Sequence, residues 1–240
     1  MRRTLLRLAT ALLTFCLGVV VTVISSVKHA ETTRSVTVEV TLRPPPTPVE
    51  TGCYPGRSLE IDTVHQESFF PPKVLGQDQP GNQFRNNWYS THLRAMHEES
   101  LYSPEGDWIE SYRFLWLRTF HHPVAVRIWK CGSVRFLSVK ESDGAGGYEP
   151  GKLKLDRKRE LTPDEWSGFM RRLDDSCYWQ LPTQDDIGAG FDGAQWIFEG
   201  VKGGRYHVVD RWTPQHGNYR ELCLYVLKLS GLKLDNSELY

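Results

Sequence analysis

The chain has 240 residues, 40% of them hydrophobic and 24% charged, and its eight Trp, ten Tyr and ten Phe can furnish an aromatic-rich core, so a chain disordered throughout is excluded. Lys plus Arg and Asp plus Glu are 29 each, which leaves no net field to draw the protein to a polyanion. With no arginine-rich run and no phosphate-cradling motif, nucleic acid is excluded as a partner.

Arg2, Arg3 and Arg7 stand before an uncharged, mostly apolar run from Leu8 to Ile24, which Leu5 and Leu6 extend if Arg7 snorkels. Ser25, Ser26, Val27 and Lys28 follow it. The run reaches the roughly 17 residues that a helix needs to cross a bilayer. Residues 1–30 are therefore expected to be a short cytoplasmic tail and a transmembrane anchor, meeting the membrane through residues 5–27. The preceding positive charges predict a cytoplasmic N-terminus and an extracytoplasmic remainder, a single-pass topology. The competing reading is secretion after signal cleavage, but a signal core is shorter, about 7 to 15 residues, and ends in small residues at the cut. Here the run is followed by Lys28, His29 and Ala30. Residues 31–52 read as an extended linker: Val36, Val38 and Val40 alternate with polar residues, and Arg43-Pro-Pro-Pro-Thr-Pro48 sets a stiff polyproline spacer of about 3.1 Å per residue.

Residues 53–240 are expected to form a single extracytoplasmic α+β domain, an antiparallel meander of about four strands plus a hairpin, packed with two to three helices. Thr51 to Asn82 reads as irregular wrapping. Asn86 to His97 is predicted helical, with Trp88, Tyr89, His92, Leu93 and Met96 on one broad face. Tyr112–Thr119, Val124–Trp129, Val134–Lys140 and Lys152–Leu155 read as strands, with short connections that favour antiparallel neighbours. The basic positions Lys152, Lys154, Arg157, Lys158 and Arg159 suit a solvated edge strand, which could also attract anionic lipid headgroups or a cell-wall polymer. Leu161-Thr-Pro-Asp-Glu165 announces a helix through a Thr162 cap, Pro163 in the first turn and Glu165 closing a capping box. Its expected buried stripe is Trp166, Phe169, Met170, Leu173 and Cys177. Gln195–Glu199 and Arg205–Arg211 make the hairpin around Lys202-Gly203-Gly204, and Tyr219–Leu232 is a helix apolar enough to be packed on more than one side.

Of five cysteines, Cys16 falls in the anchor, and Cys53, Cys131, Cys177 and Cys223 fall in the part expected outside. An oxidising compartment allows disulfides there, and the preferred pairing is Cys177 with Cys223 and Cys53 with Cys131, against four buried free thiols. No Cys-x-x-Cys occurs, and the histidine spacings do not bring two rings to one ion, so no metal and no cofactor is expected.

The densest collection of reactive groups lies between residues 190 and 211: Asp192, Glu199, His207 and Asp210. Strand alternation puts His207 and Arg211 on one face and Asp210 and Trp212 on the other, so a His/Asp base pair would need a bulge. With a loop of Gly200 to Gly204, Ile197 would stand opposite His207 and Glu199 opposite Arg205. Asp192, between Gly190 and Gly193, reads first as a turn residue. Asp143-Gly-Ala-Gly-Gly147 lacks the Lys-Ser/Thr of a phosphate loop and reads as a flexible turn.

The segments Phe120-His-His-Pro-Val-Ala-Val126, Gly147-Tyr-Glu-Pro-Gly151, Gly190-Phe-Asp-Gly-Ala-Gln-Trp196 and Tyr206-His-Val-Val-Asp-Arg-Trp-Thr-Pro214 resemble those of a bacterial family of exported or membrane-anchored proteins of unknown function. The resemblance covers residues 110–232 and implies no reaction, ligand or catalytic residue.

The expected function is therefore that of an anchored extracytoplasmic binding domain without catalysis, meeting an envelope protein or cell-wall partner through an aromatic patch around Trp196, Trp212 and Arg211. The alternative is an envelope hydrolase, which requires at least three of Asp192, Glu199, His207 and Asp210 to converge on one cleft.

Overall fold

The computed structural model describes residues 68–76, 79–102, 110–185, 190 and 192–240. The expected anchor, the proline-rich linker and Cys53 lie outside the described residues, among which no helix is long and apolar enough to cross a membrane.

Strand β1 (Glu110–Arg118) is buried along its whole length, because both of its faces are covered. It pairs antiparallel with β2 (Val124–Cys131) on one side and with β5 (Ala194–Lys202) on the other. Strands β3 (Val134–Ser142) and β4 (Leu153–Glu160) continue outward from β2, and β6 (Arg205–Trp212) lies beyond β5. The meander and the hairpin are thus one six-stranded sheet of order β4-β3-β2-β1-β5-β6, and the α+β expectation holds.

Three helices cover this sheet among the described residues: α1 (Gln79–Ala95), α2 (Pro163–Asp175) and α3 (Asn218–Ser230). On one face Tyr112, Phe114, Trp116, Trp196 and Phe198 pack with Phe169 and Leu173 of α2 and with Leu222, Cys223 and Val226 of α3. On the other, Leu115, Leu117, Ala125, Ile197 and Val208 pack beneath Tyr89, Leu93 and Met96 of α1 and beneath Phe69, Phe70 and Leu75 of the segment before it. A β1 that is covered twice needs side chains suited to burial on both faces, which explains why Tyr112, Phe114 and Trp116 face one layer while Leu115 and Leu117 face the other.

Helix α1 begins seven residues earlier than the apolar period indicated, at Gln79. Its first turns have little hydrophobic signal but are held by tertiary bonds: the Asn82 side-chain oxygen accepts from the Leu75 N–H at 3.1 Å, and the Asn86 amide donates to the Phe70 carbonyl at 3.3 Å. The α2 capping box is formed as expected, with both reciprocal bonds between Thr162 and Glu165. The helix stops two residues short of Cys177, which adopts a left-handed conformation (φ 50°) and is exposed instead of joining the buried stripe. Strand β4 runs on to Glu160 as a mostly exposed edge paired only with β3, in keeping with its alternating basic residues.

The hairpin register corrects the sequence reading. Gly203 and Gly204 both have positive φ (56° and 77°) and make a two-residue turn, so Lys202 stands opposite Arg205 and Gly200 opposite His207. Asp210, not His207, is opposite Ile197, and Val208, not Arg205, is opposite Glu199.

Candidate functional site

The four carboxylate and imidazole candidates do not meet. Glu199 and Asp210 face the α1 layer, His207 faces the α2 and α3 layer, and Asp192 is exposed ahead of β5. His207 packs edge-on against Tyr178 with ring centroids 5.0 Å apart, and burial lowers its pKa. A three-residue acid–base cleft is therefore not assembled from this set.

What Glu199 and Asp210 do instead is tie layers together. Arg113 donates to Glu199 Oε1 from Nε at 2.9 Å and from Nη2 at 2.5 Å, and the Tyr206 hydroxyl donates to Oε2 at 2.8 Å. The same guanidinium reaches Glu98 Oε2 at 3.1 Å, and Lys140 Nζ lies 3.1 Å from Glu98 Oε1, with Arg127 Nε 3.6 Å from Oε2. Burial alone would raise the Glu98 pKa, yet Arg127, Arg113 and Lys140 together hold it at about 2. Burial pushes the Glu199 carboxyl up against the pull of Arg113, and Glu98 adds to the rise. The two carboxylates in turn hold Arg113 more firmly protonated than usual, despite its burial. Asp210 accepts from the Tyr89 hydroxyl at 2.9 Å and from the Gln195 amide, and burial raises its pKa. These are bonds between α1, its C-terminal extension and the sheet.

The aromatic surface expected around Trp196, Trp212 and Arg211 is packed away. Trp196 is fully buried and donates from Nε1 to the Tyr240 carbonyl at 2.9 Å. Trp212 is half-buried, with Gly190 and Gly193 set so close that a Cβ on either would meet its ring at 2.6 Å. Arg211 is buried and donates at 2.8 Å to the carbonyls of Pro182 and Thr183, pinning the segment that leads to β5. Cys177 and Cys223 both carry free thiols, one exposed and one buried, so the preferred bond between them is not made. Burial pushes the Cys223 thiol up, which makes it inert at neutral pH. Cys131 is not among the free thiols, and its proposed partner Cys53 lies outside the described residues.

A different place gathers chemically versatile groups. Where β1 ends, Arg118, Phe120, His121, His122 and Val124 line a cleft of about 320 Å³, opposite Glu141 of β3 and the C-terminal residues Leu232, Lys233, Leu234 and Glu238. Its buried element is Arg118, whose side chain is 5% exposed and lies with Cζ 4.0 Å from the Trp116 ring centre. Nη2 donates to the His122 carbonyl at 3.1 Å, and Nη1 stands 3.4 Å from Glu238 Oε2. Nε and Nη1 make no hydrogen bond among the described residues. Burial lowers the Arg118 pKa although Glu238, Tyr240 and Glu141 act to raise it, and the guanidinium stays protonated.

His121 and His122 both line the cleft, because they lie in a turn and not on an extended strand. His121 Nδ1 is 2.7 Å from the Tyr240 hydroxyl, and His122 Nδ1 is 3.0 Å from the Gly144 carbonyl, which fixes the proton on that nitrogen. No group of three metal-ligating side chains is present among the described residues. Beside the cleft, Phe120 and Tyr148 are 61% and 63% exposed and their rings sit 6.2 Å apart.

The glycine-rich loop holds this rim in place. Gly146 N–H donates to the His121 carbonyl at 3.0 Å and Gly147 N–H to the Thr119 carbonyl at 3.2 Å, while Gly144 N–H closes the loop on the Pro150 carbonyl at 3.1 Å. The segment Asp143 to Gly147 is thus a packed turn whose amides are already used. Sequence reasoning missed Arg118, Phe120, Tyr148 and Glu238 as site residues. No local pattern could have found them, since Phe120 and Tyr148 come together here from separate loops and Arg118 meets Glu238 from far along the chain. No protein-family model and no curated protein matches the chain.

Proposed function

We propose that this protein is a membrane-anchored, extracytoplasmic binding module that holds a cell-wall polymer through the Arg118 cleft and performs no catalysis. The observation that carries the reading is a cleft holding a buried guanidinium with two nitrogens that make no hydrogen bond among the described residues, lined by the exposed Phe120 ring with the exposed Tyr148 ring beside it. Large apolar side chains exposed side by side mark interaction surfaces, and the cleft beside them gathers Arg118, His121, His122, Lys233 and two glutamates, convergent polar groups of the kind that orient a ligand. The hydrolase alternative draws no support from Glu199 and Asp210, whose oxygens are engaged in buried bonds.

The test is co-sedimentation of the full-length chain in detergent with insoluble peptidoglycan. Wild type should pellet, and a Phe120→Ser, Tyr148→Ser double variant should stay in solution while unfolding at the same temperature, because exposed positions shift stability by less than about 0.5 kcal/mol. Equal pelleting of both proteins removes the aromatic pair from the reading, and pelleting of neither removes the polymer. Outward placement is checked with Cys177: a membrane-impermeant maleimide should label it in intact cells, and labelling only after lysis would return the domain to the cytoplasm.

A further inference from the structure

We infer that the ligand of this cleft presents a carboxylate on a sugar-sized body, and that Glu238 of the C-terminal tail is the internal carboxylate it replaces at Arg118. The inference rests on the binding reading above and adds the ligand's chemistry and its competitor.

Three observations lead to it. First, Arg118 has donors to spare: one nitrogen serves a backbone carbonyl, while Nε and Nη1 make no hydrogen bond among the described residues. Second, the Glu238 contact is loose. Its 3.4 Å exceeds the roughly 2.7–2.9 Å of a charge-assisted N–H···O bond, and its side chain is 30% exposed. The tail around it is held independently, by Trp196 Nε1 to the Tyr240 carbonyl at 2.9 Å, Arg220 Nη2 to the Leu239 carbonyl at 2.9 Å, and His121 to the Tyr240 hydroxyl at 2.7 Å. Swinging aside, the Glu238 carboxylate would also give up the Asp235 N–H, which donates to Oε2 at a long 3.3 Å, and His121 Nε2 at 4.0 Å, while the three bonds above keep the tail docked. Third, the other charges favour a single negative charge. Glu141 and Glu238 both line the cleft and would repel a dianion such as phosphate, and Glu141 is already paired with Lys154 at 3.2 Å. A singly charged ligand meets less of this repulsion than a dianion does, because the displaced Glu238 stays at the lining, while Arg118 and Lys233 supply the attraction. A volume of about 320 Å³ has room for one acidic amino sugar, whose ring can lie against Phe120 at the lining, with Tyr148 extending the aromatic surface beyond the cleft.

The experiment is calorimetric titration of the full-length protein in detergent with N-acetylmuramic acid, N-acetylglucosamine and inorganic phosphate. N-acetylmuramic acid should bind, and the neutral sugar, which lacks the carboxylate, should bind at least about tenfold more weakly. Glu238→Gln should raise affinity for the acid about fivefold, the value of removing one solvent-exposed ion pair that competes intramolecularly. Arg118→Met should abolish binding, and the tail variant keeps the idea testable if loss of Arg118 prevents folding. Equal affinity for the two sugars, tighter binding of phosphate, or no gain in Glu238→Gln overturns the inference. The binding reading itself would survive those outcomes, since it fails on loss of peptidoglycan sedimentation.

Discussion

Arg113 answers two carboxylates at once, and this allows Glu98 and Glu199 to sit buried beneath α1. Glu98 has Arg127 and Lys140 as further cations, whereas the ion pair of Glu199 is to Arg113. Arg113→Met should therefore strand Glu199 and destabilise the protein by about 3–5 kcal/mol, the cost of breaking a buried pair from one side. Pairing it with Glu199→Gln should recover a large part, since the uncompensated charge is then removed. Urea unfolding of the three variants checks this, and a single-variant loss below about 1 kcal/mol would show that water already screens the site. Alternation along β6 revealed that His207 and Asp210 face apart, but not that Glu199 belongs to a structural ion cluster. Its partner lies 86 positions away in sequence, where no local pattern connects them.

At the scale of elements, the sequence was most legible where chemistry is local. The capping box of α2 needs four consecutive positions and was read correctly from Thr162 and Glu165. Thr162→Ala should cost about 1 kcal/mol, and more if the loss of the cap also disturbs the bonds that Arg159 donates to Glu165 at 2.8 Å. Thermal unfolding measures it, and no change would mean that the helix start is fixed by packing alone. The polar first turns of α1 were illegible because distant partners hold them, whereas the hairpin register was misread locally, its two-glycine turn being taken for part of a five-residue loop. The glycine-rich loop is the sharpest case. A Cβ on Gly146 would stand 2.6 Å from the backbone of Arg118, so Gly146→Ala should push the loop off the end of β1 and destabilise the fold by about 1–3 kcal/mol. Ligand affinity should fall with it, because the displaced loop carries Tyr148 and the moved strand end carries Arg118. A variant as stable and as tightly binding as wild type would remove the loop's assigned role.

For the molecule as a whole, the layering explains both what was readable and how the protein should respond to acid. The sheet and its helices follow from periodicity, whereas the cleft is made from a strand end, two loops and the chain terminus, none of which has a period to read. The α1 layer encloses acid-range titrating groups of opposing tendency. His92 is fully buried, accepts from the Trp88 indole N–H at 3.2 Å, and is kept neutral by burial, which lowers its pKa from 6.5 to about 4. The unfolded chain therefore binds a proton at this position that the folded one refuses, so its contribution is full above pH 6.5 and is lost as pH falls toward 4. Glu98 acts lower: its folded pKa of about 2 against 4.5 places its loss between those values. Glu199 and Asp210, raised by burial, work with the opposite sign, favouring the folded state as they take up protons and offsetting part of the acid loss. The wild-type profile alone mixes these effects, so the informative quantity is the difference between wild type and His92→Gln, which keeps an acceptor and cannot titrate. That difference should move against wild type by about 2–3 kcal/mol between pH 7 and pH 4, as a shift of this size implies. Urea titrations of both proteins across that range measure it. A difference constant within about 0.5 kcal/mol would mean that His92 is protonated inside the fold at little cost, and that the layer under α1 admits water.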